Sequence, residues 1–223
     1  MVWSWVDQII NRLRGQKLGV LGERGVGKTH LQTFLREGRI PTVYVQTQTQ
    51  ERLASSKAQL WEVESLGGQA AVSRIRLKSG FDVPGSAGAV EAWKEVVNAS
   101  TILLYLFRAD LVFDDDIVHL KRIEDDAALL SKLIHERVDS GAHLKTALVG
   151  THYDKVLGYK GPSCGSAFYR WHVEMENNQY INDARLTVGG SVEEYPKLVV
   201  GSMSTLEGTR ELAFRLFARE LRV

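Results

Sequence analysis

Residues 22–29 read GERGVGKT, from Gly22 to Thr29, and the reading of this stretch decides the fold. It satisfies Gly-x-x-x-x-Gly-Lys-[Ser/Thr], directly follows the apolar run Lys17–Gly22, and opens the helical pattern His30–Glu37. A strand, a glycine loop and a helix in that order are the context this motif needs to cradle phosphate. The glycines let successive backbone N–H groups converge on phosphate oxygens, and the helix N-terminus adds a favourable dipole. Lys28 brings positive charge to the β- and γ-phosphates, and Thr29 offers a hydroxyl to Mg²⁺. Gly22, Arg24, Gly25, Val26, Gly27 and His30 complete the expected contacts on this side of a nucleotide.

Working outward, further apolar runs read as buried strands: Thr42–Thr47, Val72–Leu77, Ile102–Phe107, Thr146–Gly150 and Lys197–Gly201. Amphipathic stretches of helical length lie between them, at Ala89–Ala99, Asp116–Asp139 and Leu206–Leu221. Strand alternating with helix predicts an α/β fold of the P-loop NTPase type. The expected form has three layers: a mostly parallel six-stranded sheet with helices on both faces. Residues 17–223 form one domain in this reading, with an insertion around 158–190 that holds one helix near Ala167–Ile181. Residues 1–16 read as an amphipathic helix whose Trp3, Val6, Ile10 and Leu13 share a stripe. That stripe packs on the domain itself, or meets a membrane surface or a partner helix; its modest basic face favours self-packing.

Composition narrows the function classes. The chain carries 28 basic and 27 acidic residues, a balance that argues against nucleic acid as a partner. The lone cysteine, Cys164, excludes an internal disulfide. Ile102–Phe107, the longest apolar run, is far too short to cross a bilayer, and the N-terminus lacks the pattern of a secretion signal. The expected location is cytoplasmic.

Two more stretches carry chemistry. In FDVPG, Phe81 to Gly85, Asp82 is the expected magnesium ligand and the Gly85 N–H approaches a γ-phosphate. Asp110, ending ILLYLFRAD, is the rival metal ligand, and it would suit a P-loop ATPase. In THYD, Thr151 to Asp154, a carboxylate beyond a late strand can accept from guanine N1–H and its 2-amino group. Adenine offers neither donor and would leave the buried acid unpaired. Downstream, backbone N–H groups of Ser202, Met203 and Ser204 could meet guanine O6.

Taken in order, GERGVGKT, DVPG, THYD and GSMS resemble the motifs of Ras-like small GTPases, and they span nearly the whole chain. Thr-His-x-Asp resembles the Roco-type form of the base-recognition motif. There His152 stands in for the lysine stem that covers the base, and Thr151 reaches the neighbouring loops with its hydroxyl. The resemblance implies guanine nucleotide and Mg²⁺ as ligands, slow hydrolysis of GTP as the activity, and a molecular switch read by a protein effector or activator. It also implies a switch threonine that binds metal and γ-phosphate. RIPTVYV makes Thr42 the candidate, with Thr47 and Thr49 as alternatives. Lys28, Thr42, Gly85 and Arg24 then form the expected catalytic set, and Thr29, Thr42 and Asp82 the metal set. Ser86 stands where the family has its catalytic glutamine, and Arg24 where Ras proteins keep a glycine. Arg24 is either a charge donor to the γ-phosphate or a surface residue. The competing readings are a nucleotide-holding scaffold without turnover and the ATPase that uses Asp110.

Overall fold

The structure, a computed structural model, describes residues 17–41, 51–53, 59–64, 70–75, 79–82, 90–137, 143–156, 172–192 and 194–221; between 51 and 82 it describes the backbone alone. The elements run β1 (Lys17–Gly22), α1 (Lys28–Glu37), β2 (Glu51–Leu53), β3 (Gln59–Glu64), β4 (Ala70–Ile75), β5 (Ser79–Asp82), α2 (Val90–Ala99), β6 (Ile102–Arg108) and α3 (Ala109–Phe113). They continue with α4 (Ile117–His135), β7 (Lys145–Thr151), α5 (Gln179–Gly189), β8 (Lys197–Val200) and α6 (Leu206–Phe214), which widens into π turns over Arg215–Glu220.

This is an α/β architecture. Its centre is four parallel strands, β1, β6, β7 and β8, each pairing with the next. Parallel β5 and then antiparallel β2 extend the sheet beyond β1, giving the order β2-β5-β1-β6-β7-β8. The central strands read as unbroken apolar runs because both of their faces are buried. Along β6, alternate side chains feed two separate cores. Leu104 and Leu106 pack with Leu31 and Phe34 of α1 and Leu212 of α6. Leu103, Tyr105 and Phe107 pack with Trp93 of α2, Ile123 of α4 and Ile181 of α5.

Local chemistry sets the helix ends. Asp116 caps α4 by accepting from the His119 N–H at 2.9 Å, Asn178 caps α5 from Ile181 at 3.2 Å, and Thr205 caps α6 from Gly208 at 3.0 Å. α1 ends at Gly38, whose left-handed φ of 71° lets its N–H reach the Phe34 carbonyl.

The structure differs from expectation in pairing and in element ends. Of the run 72–77, the described residues 72–75 do not join the main sheet: Ala70–Ile75 pairs antiparallel with Gln59–Glu64 as a two-stranded ribbon. The strand beside β1 is Ser79–Asp82, too short and too glycine-containing to announce itself as an apolar run. Of the predicted helix at 167–181, residues 167–171 lie outside the described residues; 172–177 are helical, Asn178 interrupts the run with an extended backbone, and α5 follows to Gly189. α4 ends at His135 rather than at Asp139. The N-terminal helix 1–16, the strand 42–47, Thr42, Thr47, Thr49, Gly85, Ser86 and Cys164 lie outside the described residues.

Candidate functional site

The phosphate loop leaves the carboxyl end of β1 and enters α1 through three glycines with positive φ: 134° at Gly22, 81° at Gly25 and 92° at Gly27. A side chain at Gly22 would strike the Leu106 carbonyl of β6, a fixed backbone atom; at Gly27 it is the left-handed φ that disfavours any other residue, since the Met203 methyl beside it can move. The first turn of α1 holds Lys28 and no acid. A cation there opposes the helix dipole, a local conflict that an anion bound at the helix N-terminus would relieve. Lys28 is 7% exposed, and its Nζ folds back to donate to the carbonyls of Gly22 at 3.0 Å and Glu23 at 2.7 Å. Val26 is buried, Thr29 and His30 half-buried, and Arg24 exposed. Burial holds the His30 imidazole below its ordinary pKa.

At the end of β7, Thr151 is fully buried and its hydroxyl lies 3.0 Å from the carbonyls of both Val26 and Phe107. It is therefore the joint between phosphate loop, β6 and β7. Its third neighbour is His152 Nδ1 at 2.9 Å. The hydroxyl has one proton, which faces two carbonyls that only accept; Nδ1 thus carries the hydrogen and donates to the oxygen. His152 holds a left-handed backbone, φ 57°, and turns the chain into the short 3₁₀ turn Tyr153–Lys155. Burial, reinforced by Lys155 and Arg108, keeps its pKa low.

The third strand end completes this side. Ser202, after β8, donates its hydroxyl to Asp154 Oδ1 at 2.5 Å and accepts from the Ser204 N–H at 3.1 Å. The Ser204 N–H is therefore engaged locally rather than left for a ligand. Met203 turns its side chain inward against Gly27, so the downstream motif touches the phosphate loop as well as Asp154.

Asp82 is the last residue of β5, which runs parallel to β1 with Phe81 opposite Gly19, so its backbone lies at the same end of the sheet as the phosphate loop. Asp110 lies in α3 with its carboxylate gripped by the Arg108 guanidinium, through Nε at 3.0 Å and through Nη2. Burial pushes its pKa up, but Arg108 outweighs burial and holds the carboxyl below its ordinary value. Among the described residues, no group of three or more His, Cys, Asp or Glu side chains is arranged to hold a metal ion.

Glu23, Arg108 and His119 also belong to this neighbourhood, and no sequence pattern announced them. His119 is 3% exposed, accepts the Arg108 N–H at 3.1 Å through Nε2, and meets Glu23 Oε2 at 3.1 Å through Nδ1. In the sequence it is one histidine at the start of a charged helix.

No protein-family model matches the chain, and no curated protein matches it in sequence.

Proposed function

We propose that the protein is a small GTPase of the Ras-like kind, a P-loop NTPase domain that binds GTP and GDP with Mg²⁺ and slowly hydrolyses GTP. The observation that carries the reading is Thr151. Its hydroxyl ties Val26 of the phosphate loop to the strand end from which Asp154 follows, three residues on. A nucleotide with its phosphates on the loop and its base beside Asp154 would need these two segments joined in this way.

The chemistry is attack of water on the γ-phosphorus. The bond to the β-phosphate oxygen breaks, GDP takes the electron pair, and inorganic phosphate keeps the water oxygen. Lys28 transfers its Nζ hydrogen bonds from the Gly22 and Glu23 carbonyls to phosphate oxygens. Loop N–H groups hold the developing charge in place. Mg²⁺ takes hard oxygen donors; in this chain the Thr29 hydroxyl and Asp82 fit that requirement, together with Thr42. When bound, the ion neutralises charge on the β- and γ-oxygens. Ser86 is too short to orient the attacking water as a glutamine does, so turnover of the isolated protein is slower than about 10⁻² s⁻¹. Loss of the γ-phosphate relaxes the loops that it held, which is the output an effector or activator would read.

Asp110 gives the ATPase reading no support, because Arg108 already occupies its carboxylate. A cytoplasmic location is part of this proposal.

The test is to identify by mass the nucleotide that co-purifies, then to titrate nucleotide-free protein with GTP and ATP and follow phosphate release with and without Mg²⁺. The expected result is guanine nucleotide, a preference over ATP of about a hundredfold or more, and slow release. Equal affinity for ATP and GTP would sink the reading. Tight GTP binding with no phosphate released in a single turnover would favour the scaffold.

A further inference from the structure

We propose that His119 is a positioning residue for the phosphate loop, acting through the Glu23 carboxylate; this rests on the nucleotide-binding reading above. Both of its ring nitrogens are committed. Nε2 accepts the Arg108 N–H at 3.1 Å, so it carries no hydrogen, and Nδ1 is the donor to Glu23 Oε2 at 3.1 Å. Arg108 ends β6, which pairs with β1 through Leu106 and Gly22. The imidazole thus runs from a central strand of the sheet to the second residue of the loop. Its own backbone is fixed too, because its N–H donates to Asp116 at the cap of α4.

The consequence concerns Lys28. Its Nζ donates to the Glu23 carbonyl at 2.7 Å. An arriving phosphate competes for the same ammonium, and a loop shaped only by Lys28 would slacken as Nζ moved across. Glu23 is held a second time, by its carboxylate, so the loop keeps its shape after Lys28 lets go. Shape retained before binding is ordering that binding does not have to supply. A residue that merely filled the core would change stability and leave affinity per folded molecule alone.

The experiment is a double-mutant cycle on the full chain, reading GDP affinity with Mg²⁺ by calorimetry after nucleotide removal. His119→Phe should weaken GDP about tenfold. In the Glu23→Ala background the same change should cost less than about twofold, because the partner is gone. His119→Asn, whose amide can donate from the Nδ1 position, should recover most of the affinity. Equal losses from His119→Phe in both backgrounds, or no loss in either, would overturn the proposal. If His119→Phe does not fold, Glu23 reads the same bond from its half-exposed end. Glu23→Gln keeps an acceptor and should bind GDP about tenfold more tightly than Glu23→Ala, and equal affinities there would overturn it. A parent that binds no guanine nucleotide removes the nucleotide reading itself. That result is distinct from a parent that binds GDP and is indifferent to this pair.

Discussion

At the scale of single residues, the proposed reading assigns the choice of base to Asp154. One of its oxygens accepts from the Ser202 hydroxyl, which ties the carboxylate to the end of β8. Asp154→Asn keeps an acceptor for Ser202, so the fold should hold while the ligand preference changes. GDP affinity should fall about a hundredfold, and xanthosine diphosphate, whose 2-oxo group suits an amide donor, should gain. Titration of both nucleotides into parent and variant reads the exchange, and an unchanged preference would remove Asp154 from the base site. Asp110 offers the contrast. The residue type and its place after a strand suited a metal ligand, yet its neighbour two residues back holds its carboxylate.

At the scale of elements, the ends of β1, β6 and β7 act together because Thr151 joins them. Thr151→Val keeps the volume and β-branching but leaves the Val26 and Phe107 carbonyls without the hydroxyl, in a fully buried place. The expected cost is about 1–3 kcal/mol, which for a chain of this size lowers Tm by about 5 °C. It should also loosen nucleotide binding, because the base motif then moves independently of the phosphate loop. Thermal melts with and without GDP check both parts. A Tm within about 1 °C of the parent would show that the joint holds nothing.

At the scale of the whole molecule, half-buried histidines weigh most in the response to acid. Burial holds His30, His152 and His172 below their ordinary pKa of 6.5, so each is more readily neutral when folded than when unfolded. As pH falls through 6.5 the unfolded chain takes up these protons first, and stability drops between that value and the lowered folded ones. Above 6.5 their contribution is complete. Asp126, whose carboxyl is raised by burial against the opposing pull of Arg122 and Tyr105, works in the other sense, and among the described residues the histidines outweigh it. Tm should therefore fall from pH 7.5 to pH 5.5, and a Tm that rises on acidification would contradict this balance.

What the chain states locally and what it leaves to assembly divide along sequence separation. The strand–glycine loop–helix unit was legible because its glycines, lysine and threonine are contiguous and need only a strand before and a helix after. The central strands were legible for a related reason: burial on both faces forces an apolar run that any window detects. The sequence by itself therefore determined the α/β class, the loop and the chain order of the candidate site motifs. Only the tertiary structure decided that Ser79–Asp82, not 72–75, lies beside β1, since pairing partners are chosen by hydrogen bonds between distant segments. It alone set Glu23 against His119, 96 residues apart, and Thr151 against Val26, 125 apart. Such contacts leave no periodicity in the chain, because each is one side chain meeting one atom after the layers have packed.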